Sequence, residues 1–160
     1  MPKPLSIEPV GDRQLVITRD FDAPRDLVFL CYSKPELMRR WYGMPDWTMT
    51  VCEIDFRVGG KWRFATRSPD GVEMGAQGVY VAIAAPERIA QTEYYDDDWT
   101  QGGSENLVVF TAIDGGTRTV TTVTYSSPEA RAGAAASPMA EGMEIGFQRL
   151  DTVLAEERRA

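Results

Sequence analysis

The sequence predicts an α+β domain in which one curved antiparallel sheet of seven strands is covered by a long C-terminal helix. Three observations lead to this fold class. Apolar and polar residues alternate between Trp47 and Ser126, two short helical patterns precede that region, and the segment from Met139 onward has one apolar helical face. Because a single sheet must bury its apolar face, we expect the long helix to pack across it.

The chain length and composition are those of one globular domain spanning residues 1–160. Hydrophobic residues make up 43% of the chain and charged residues 26%, with no disordered tract. A formal charge of −7 repels phosphate backbones, so nucleic acid is not expected as a partner. The N-terminal segment has prolines where a secretory signal needs an apolar run, and no stretch is long enough to span a bilayer. We therefore expect a cytoplasmic protein without a membrane partner.

The first predicted strand is RQLVITRDF, residues 13–21. Leu15, Ile17 and Phe21 alternate with polar neighbours, although Arg19 interrupts the apolar face. This pattern indicates a half-buried strand.

Two short helices are predicted after this strand. In FDAPRDLVFLCY, Asp22 is a candidate N-cap and Pro24 suits the first helical turn. In SKPELMRRWYG, Ser33 and Glu36 have the spacing of a capping box, and Gly43 supplies the helix stop. We expect these helices to close one end of the sheet.

Six further strands are predicted from the alternating region. Their connections are too short for parallel crossovers, so the sheet is expected to be mostly antiparallel. The turn signals are VGG at 58–60, SPDG at 68–71, APE at 85–87, QGGS at 101–104 and DGG at 114–116.

The run DFRVGGKWRF, residues 55–64, contains a GGK sequence of the kind found in phosphate-binding loops. That motif needs GxxxxGK followed by Ser or Thr between a strand and a helix, whereas Trp62 follows the lysine here. We interpret the run as a hairpin turn in which Gly59 and Gly60 tolerate positive φ. The alternation then places Trp62 and Phe64 on one strand face.

The chain becomes helical again after Pro128, with a break at Ser137 and Pro138. The final helix is predicted over residues 139–156. Gly142 and Gly146 lie on or beside its apolar face, where they either leave room for a strand or a ligand or simply fit local packing. The apolar face consists of residues spaced by three or four positions: Met139, Met143, Phe147, Leu150 and Leu154.

Several segments, in this order along the chain, resemble the START-like, or SRPBCC, superfamily. They are DAPRDLVF, WYGMPDW, DFRVGGKW, GVYVAIAAPERI and SSPEARAGAAASPMAEGMEIGFQRLDTVLA, and the resemblance as a whole covers about residues 13–156. They are most similar to the branch named after the C-terminal domain of the activator of heat-shock protein 90 ATPase. The resemblance implies a helix-grip, birch-pollen-allergen-like fold, in which a seven-stranded sheet curls around the long helix and leaves a deep, largely apolar cavity. Pro138 departs from the small flexible residue expected before the final helix.

Histidine is absent from the sequence, which excludes Ser–His and Cys–His nucleophilic pairs and zinc sites that need imidazole. The two cysteines, Cys31 and Cys52, lack CxxC spacing and lie in different predicted elements. We expect both to be buried reduced thiols. The sequence therefore predicts no metal and no cofactor.

Carboxylates are the remaining candidates for acid–base chemistry. Glu53 and Asp55 share one face of a strand, and Glu93 lies in the strand that leads to an acidic run. Buried against aromatic residues, such a carboxylate would have a raised pKa and act as a general base. Solvation or pairing with neighbours such as Arg63 is the favoured alternative. The candidate polar groups of the cavity are Glu53, Glu93 and Tyr94.

The acidic run YYDDDW, residues 94–99, is interpreted as a solvated loop tip. It lacks the spacing of a calcium loop, which disfavours a site for a hard cation. Tyr94, Tyr95 and Trp99 are candidates for closing the mouth of the cavity. Alternation alone does not decide which tyrosine points inward.

Aromatic and methionine side chains supply the main positive signal for function. Methionines that face aromatic rings suit an adaptable apolar pocket, although a packed core would use the same residues. The family resemblance favours the cavity. The candidate ligand-binding residues are Trp41, Trp62, Phe64, Tyr80, Met139, Met143 and Phe147.

Three functions follow from these observations. Binding of a small apolar or aromatic molecule is favoured, because the sequence offers no catalytic constellation. A chaperone-binding or other protein-interaction domain is less favoured, because the chain consists of the START-like domain alone. A cyclase or lyase would require a carboxylate inside the cavity with a strongly perturbed pKa. A protein partner and a homodimer stay open.

Overall fold

The structure is a computed structural model that describes residues 4–98 and 102–159. These residues form one antiparallel sheet and four helices. The strands are β1 (Ser6–Val10), β2 (Gln14–Phe21), β3 (Thr48–Ile54), β4 (Lys61–Arg67), β5 (Glu73–Ala84), β6 (Arg88–Tyr95), β7 (Ser104–Ile113) and β8 (Gly116–Tyr125). The helices are α1 (Arg25–Ser33), α2 (Pro35–Trp41), α3 (Pro128–Ala136) and α4 (Met139–Arg159). The strand order in the sheet is β1-β2-β8-β7-β6-β5-β4-β3.

The described residues form eight strands, so the predicted number of seven is wrong. The additional strand is β1, which pairs antiparallel with β2 at the edge of the sheet. Four of its five residues are exposed, and it contains Pro9. An exposed edge strand needs no apolar alternation and tolerates proline, so its sequence carries no strand signal.

The start of α1 is set by Pro24, which occupies the N-cap position without a side-chain hydrogen bond. The carbonyl oxygen of Pro24 accepts hydrogen bonds from the amides of Leu27 and Val28, both at 3.1 Å. The prediction that Asp22 caps this helix is therefore wrong, because the fixed φ of Pro24 places the helix start further along the chain.

The predicted capping box of Ser33 and Glu36 is also wrong. Lys34 occupies the N-cap of α2, and Pro35 is the first helical residue. Ser33 is instead the last residue of α1, where its hydroxyl donates to the carbonyl oxygen of Phe29 at 3.1 Å. The two helices are thus separated by a single residue, because Pro35 opens the second one.

The C-terminal region confirms the predicted break and the long helix. α3 ends at Ala136, Ser137 occupies its C-cap, and α4 begins at Met139. α4 extends to Arg159, three residues beyond the predicted end. Its buried residues face the sheet, and the ring of Phe147 lies 5.5 Å from that of Phe21 in an edge-to-face contact. The open sheet and the long C-terminal helix form the expected helix-grip fold.

A buried arginine joins α4 to the sheet. Arg19 of β2 is only 3% exposed and forms ion pairs with Glu144 at 2.9 Å and Asp151 at 2.8 Å. Its guanidinium carbon also lies 4.8 Å from the ring centre of Phe21 and 5.8 Å from that of Phe147. Burial disfavours the charge, but the hydrogen bonds and the attraction of both carboxylates outweigh it and raise the pKa of Arg19. The charge that interrupts the apolar face of β2 therefore anchors the helix.

The GGK-containing run forms the connection between β3 and β4, which confirms the hairpin interpretation. Gly59 has φ +84°, but Gly60 does not adopt a positive φ. Gly60 is required for a different reason, since a Cβ atom there would collide with the carbonyl oxygen of Asp55. Trp62 and Phe64 are buried on the inner face of β4, as predicted.

Both cysteines are free and buried, as the sequence predicts, with Cys31 in α1 and Cys52 in β3. None of the helices in the described ranges has the length and apolar character needed to cross a bilayer.

Candidate ligand cavity

A cavity of about 410 Å³ lies between α4, α2 and the inner face of the sheet. Its volume is within the range of roughly 300–1,000 Å³ that is typical of small-molecule sites. Apolar and aromatic side chains form most of its lining. All seven candidate ligand-binding residues line it, namely Trp41, Trp62, Phe64, Tyr80, Met139, Met143 and Phe147.

The sheet wall is built by alternating residues of β4 and β5. Trp62, Phe64 and Tyr80 point inward and are at most 5% exposed, because period-two alternation places them on one face. The indole nitrogen of Trp62 donates to the carbonyl oxygen of Thr92 at 3.1 Å, so its polar atom is satisfied. The rings of Trp62 and Phe64 lie 4.9 Å apart. This wall is therefore apolar and fixed in position.

The helix wall is formed by the first half of α4 together with α2. Phe147 stacks on Trp41 with ring centres 6.3 Å apart, and the Trp41 indole donates to the carbonyl oxygen of Cys31 at 2.9 Å. A Cβ atom on Gly142 would meet no atom within 4 Å, whereas one on Gly146 would lie 3.7 Å from the Trp41 carbonyl oxygen. Gly142 therefore leaves open space in the cavity, while Gly146 fits local packing.

The predicted polar groups divide according to the strand face on which they lie. Glu93 lines the cavity. Glu53 lies on the outer, exposed face of β3, and the side chain of Tyr94 is 49% exposed on the outer face of β6. The predictions for Glu53 and Tyr94 are therefore wrong, because residues next to each other on a strand point to opposite faces. Tyr95 is the tyrosine that points inward.

The exposed carboxylates behave as the favoured alternative predicts. Asp55 is solvent-exposed and pairs with Arg57 at 3.0 Å. Arg63 pairs at 2.7 Å with Asp96, a residue of the exposed acidic run. Trp99, the third aromatic residue proposed for the mouth, lies outside the described residues.

Glu93 belongs to a polar cluster at the junction of β6 and β7. Tyr95, Asn106 and Ser104 form hydrogen bonds with its carboxyl group. The strand register explains the cluster, because Glu93 is paired with Ser104, and Gln91 with Asn106. Burial raises the pKa of Glu93 above its ordinary value, while the three hydrogen bonds act in the opposite direction. Part of the Glu93 surface is exposed even though the group lies deep in the protein, since that part faces the cavity.

Several tyrosines add neutral hydroxyl groups to this interior. Burial raises the pKa of Tyr32, Tyr42, Tyr80 and Tyr95, all of which line the cavity. Burial and the nearby Glu93 raise the pKa of Tyr125 to about 12. These hydroxyls stay protonated at neutral pH and can donate or accept hydrogen bonds.

The opening of the cavity is marked by apolar side chains that reach solvent. Met44 is 37% exposed and Met74 is 50% exposed, and both line the cavity together with Trp47. Arg149 of α4 holds the adjoining segment by donating to the carbonyl oxygens of Tyr42 at 3.3 Å and Gly43 at 2.9 Å. The segment beside the opening is therefore held to α4, which forms one wall of the cavity.

Sequence reasoning missed several lining residues, notably Tyr32, Tyr42 and Asn106. It named Tyr95 as a candidate for the mouth of the cavity but left open whether Tyr94 or Tyr95 points inward. Asn106 reaches Glu93 only through strand pairing, and Tyr42 lies in the segment after α2, where no periodicity applies. Their positions depend on how the elements assemble.

Comparisons with known proteins agree with this architecture. The model of the family described as Activator of Hsp90 ATPase homolog 1-like protein matches residues 22–155. No curated protein matches the chain. A crystal structure of a protein from Rhodobacter sphaeroides is 30% identical, with 96% of this chain and 99% of that chain covered and a TM-score of 0.92.

Two further solved structures are similar over most of their length. A protein from Mycobacterium smegmatis is 26% identical, with 94% of this chain and 97% of that chain covered and a TM-score of 0.82. A protein from Rhizobium leguminosarum is 30% identical, with 96% and 99% covered and a TM-score of 0.69. The fold, the family match and these relatives together show that the chain belongs to the Activator of Hsp90 ATPase homolog 1-like family, within the START-like superfamily.

Proposed function

We propose that this domain binds a small apolar or aromatic molecule in the cavity between α4 and the sheet. The observation that carries the proposal is the cavity of about 410 Å³ whose walls consist mainly of aromatic and methionine side chains. Well-packed interiors contain few voids larger than a water molecule, so an opening of this size is not an ordinary packing defect.

The composition of the walls suits ligands that vary in shape. Met139 and Met143 of the helix wall are flexible thioethers, which adapt to irregular surfaces, while the rings of the sheet wall are fixed. Removing apolar ligand surface from water stabilises the complex by roughly 25 cal/mol per Å² before the cost of association. A ligand of naphthalene size can therefore reach micromolar affinity without a strong polar contact.

Filling the cavity tests this proposal. Gly142→Phe places a ring in the open space beside Gly142, so it should abolish saturable binding of the neutral fluorescent probe N-phenylnaphthylamine. Gly133→Phe is the matched control, because Gly133 is an exposed helical glycine of α3 with no atom within 4 Å of a Cβ position. Wild type and the control should bind equally. Absence of saturable binding by wild type, or equal binding by the filled variant, would show that the ligand does not occupy this cavity.

A charged substitution provides an independent test. Met143→Asp places an unpaired carboxylate in an apolar wall, which is costly when a ligand excludes water. Probe binding should be lost while circular dichroism shows a folded protein.

Glu93 supports a second candidate function, that of an enzyme of the cyclase or lyase type. A carboxyl group inside the cavity with a raised pKa meets the requirement for a general base in an apolar site. In that case Glu93→Gln would bind a substrate but leave it unchanged, which mass spectrometry of the bound molecule detects.

The family description also admits a protein partner such as a chaperone. Since the lining of the cavity is the feature best defined by the structure, we favour the small molecule.

A further inference from the structure

Glu93 is the only acidic residue among the described residues that line the cavity, and none of those lining residues is Lys or Arg. The described lining therefore contains one carboxyl group and no lysine or arginine. The buried Arg19, beside Phe147, is not part of this lining and is already paired with Glu144 and Asp151. An arginine or lysine in the position of Glu93 would favour fatty acids and other anions, whereas a carboxyl group favours cations.

The carboxyl group is held in place by its neighbours. Tyr95 on the same strand and Asn106 and Ser104 on the adjacent strand hydrogen-bond to it. Since Glu93 lines the cavity, a bound molecule can supply a further donor to its carboxyl group.

Aromatic rings surround the same space. Tyr42, Trp62 and Tyr95 line the cavity with Glu93, and the electron-rich faces of such rings attract cations. The combination of one carboxyl group and several rings is complementary to a protonated amine attached to an apolar body.

From this arrangement we propose that Glu93 makes the cavity selective for apolar ligands that carry a protonated amine. The inference rests on the proposed function, since it requires that ligands enter the cavity. An anionic ligand would place its charge beside Glu93 in a site whose described lining holds no lysine or arginine, and a neutral alcohol would lack the charge-assisted hydrogen bond. The expected order of affinity is amine, then alcohol, then carboxylate.

Calorimetric titration with three matched probes tests the order at neutral pH. Naphthylmethylamine is cationic, naphthylmethanol is neutral and naphthoate is anionic, while all three share one aromatic body. Wild type should bind the amine about ten- to a hundredfold more tightly than the alcohol, as expected for a hydrogen bond to a charged group. It should bind naphthoate more weakly than either.

Two variants separate the local effect of Glu93 from that of the net charge. Glu93→Gln should bind the amine and the alcohol with similar affinity. Glu53→Gln changes the net charge equally, but Glu53 lies on the exposed face of β3, so this variant should keep the wild-type order. Repeating the titrations at high salt screens the exposed charges and should leave the amine preference of wild type in place.

The outcomes distinguish the two proposals. If all three probes bind wild type with similar affinity, or if Glu93→Gln keeps the amine preference, selectivity by Glu93 is overturned while the ligand-binding function stands. If no probe binds wild type, both proposals fail. Binding of the neutral alcohol reports whether Glu93→Gln is folded. If Glu93→Gln does not fold, the test is the order in which wild type binds the three probes at high salt. Equal affinities for the amine and the alcohol under that condition overturn the inference.

Discussion

Arg19 carries a full positive charge beneath α4, where only 3% of the residue is exposed. Its guanidinium group contacts both oxygens of Glu144 and both oxygens of Asp151, at 2.8–3.2 Å. Such bidentate contacts fix the orientation of both partners as well as attracting them. At the scale of single residues, this cluster ties α4 to strand β2 of the sheet.

Replacing this arginine should be strongly destabilising. Arg19→Met leaves Glu144 and Asp151 as partly buried carboxylates without a counter-charge, and loss of one partner of a buried pair costs about 3–5 kcal/mol. The control is Arg118→Met, which removes a more exposed arginine paired with Asp20, and should cost about 0–1 kcal/mol. Urea denaturation measures both values. A similar loss in the two variants would contradict the anchoring role of Arg19.

Glu93 should make stability depend on pH in a specific direction. Because burial raises its folded-state pKa above the unfolded value, its contribution to stability is fully present below the unfolded pKa and is lost as pH rises through the folded pKa. Glu93→Gln should therefore become more stable relative to wild type as pH rises from the ordinary glutamate value of 4.5 towards neutrality. Tyr42, Tyr95 and Tyr125 do not titrate in this range, because their pKa values are also raised.

The difference in the free energy of unfolding between wild type and Glu93→Gln isolates the effect of Glu93 from that of the other carboxylates. Glu144 acts in the opposite direction: burial disfavours its charge, but its hydrogen bonds and the Arg19 charge outweigh burial and lower its pKa. Its contribution is lost as pH falls through its folded pKa, equally in wild type and variant. Free energies of unfolding measured at several pH values give the difference. A difference that does not change with pH would mean that Glu93 has an unperturbed pKa.

At the scale of elements, α4 is the best-predicted part of the molecule. Its apolar spacing and the proline at position 138 define both its face and its start, because these are local properties of the sequence. The edge strand β1 was not predictable, since its exposed residues show no alternation. The walls of the cavity followed from periodicity, but Tyr42 and Asn106 did not. Their places depend on the packing of α2 and on the pairing of β6 with β7.

Gly142 offers a test of how α4 is built. Because no atom lies within 4 Å of a Cβ position there, Gly142→Ala should gain helix propensity without a clash and stabilise the protein by up to about 1 kcal/mol. Gly133→Ala, in the exposed face of α3, should give a comparable gain and serves as the reference. Thermal unfolding followed by circular dichroism measures both. Destabilisation by Gly142→Ala alone would mean that this side of α4 is already packed.

At the scale of the whole molecule, the sheet curls around α4 and leaves unfilled space between them. Elsewhere the core is closely packed, with Val28 and Leu150 fully buried. The cavity of about 410 Å³ therefore lies beside a well-formed core and does not reflect loose packing throughout. Apolar walls with a few polar groups, here the cluster around Glu93, are typical of small-molecule sites.

The central claim is that a small apolar molecule enters this space, and the methionines report on it directly. NMR spectra of protein with labelled methionine methyl groups should be recorded during titration with naphthylmethanol. The signals of Met139 and Met143, which line the cavity, should shift together and saturate with one affinity, while Met49 on β3, which does not line it, should stay unchanged. No shift at saturating probe, or equal small shifts at all three residues, would contradict the proposed binding site.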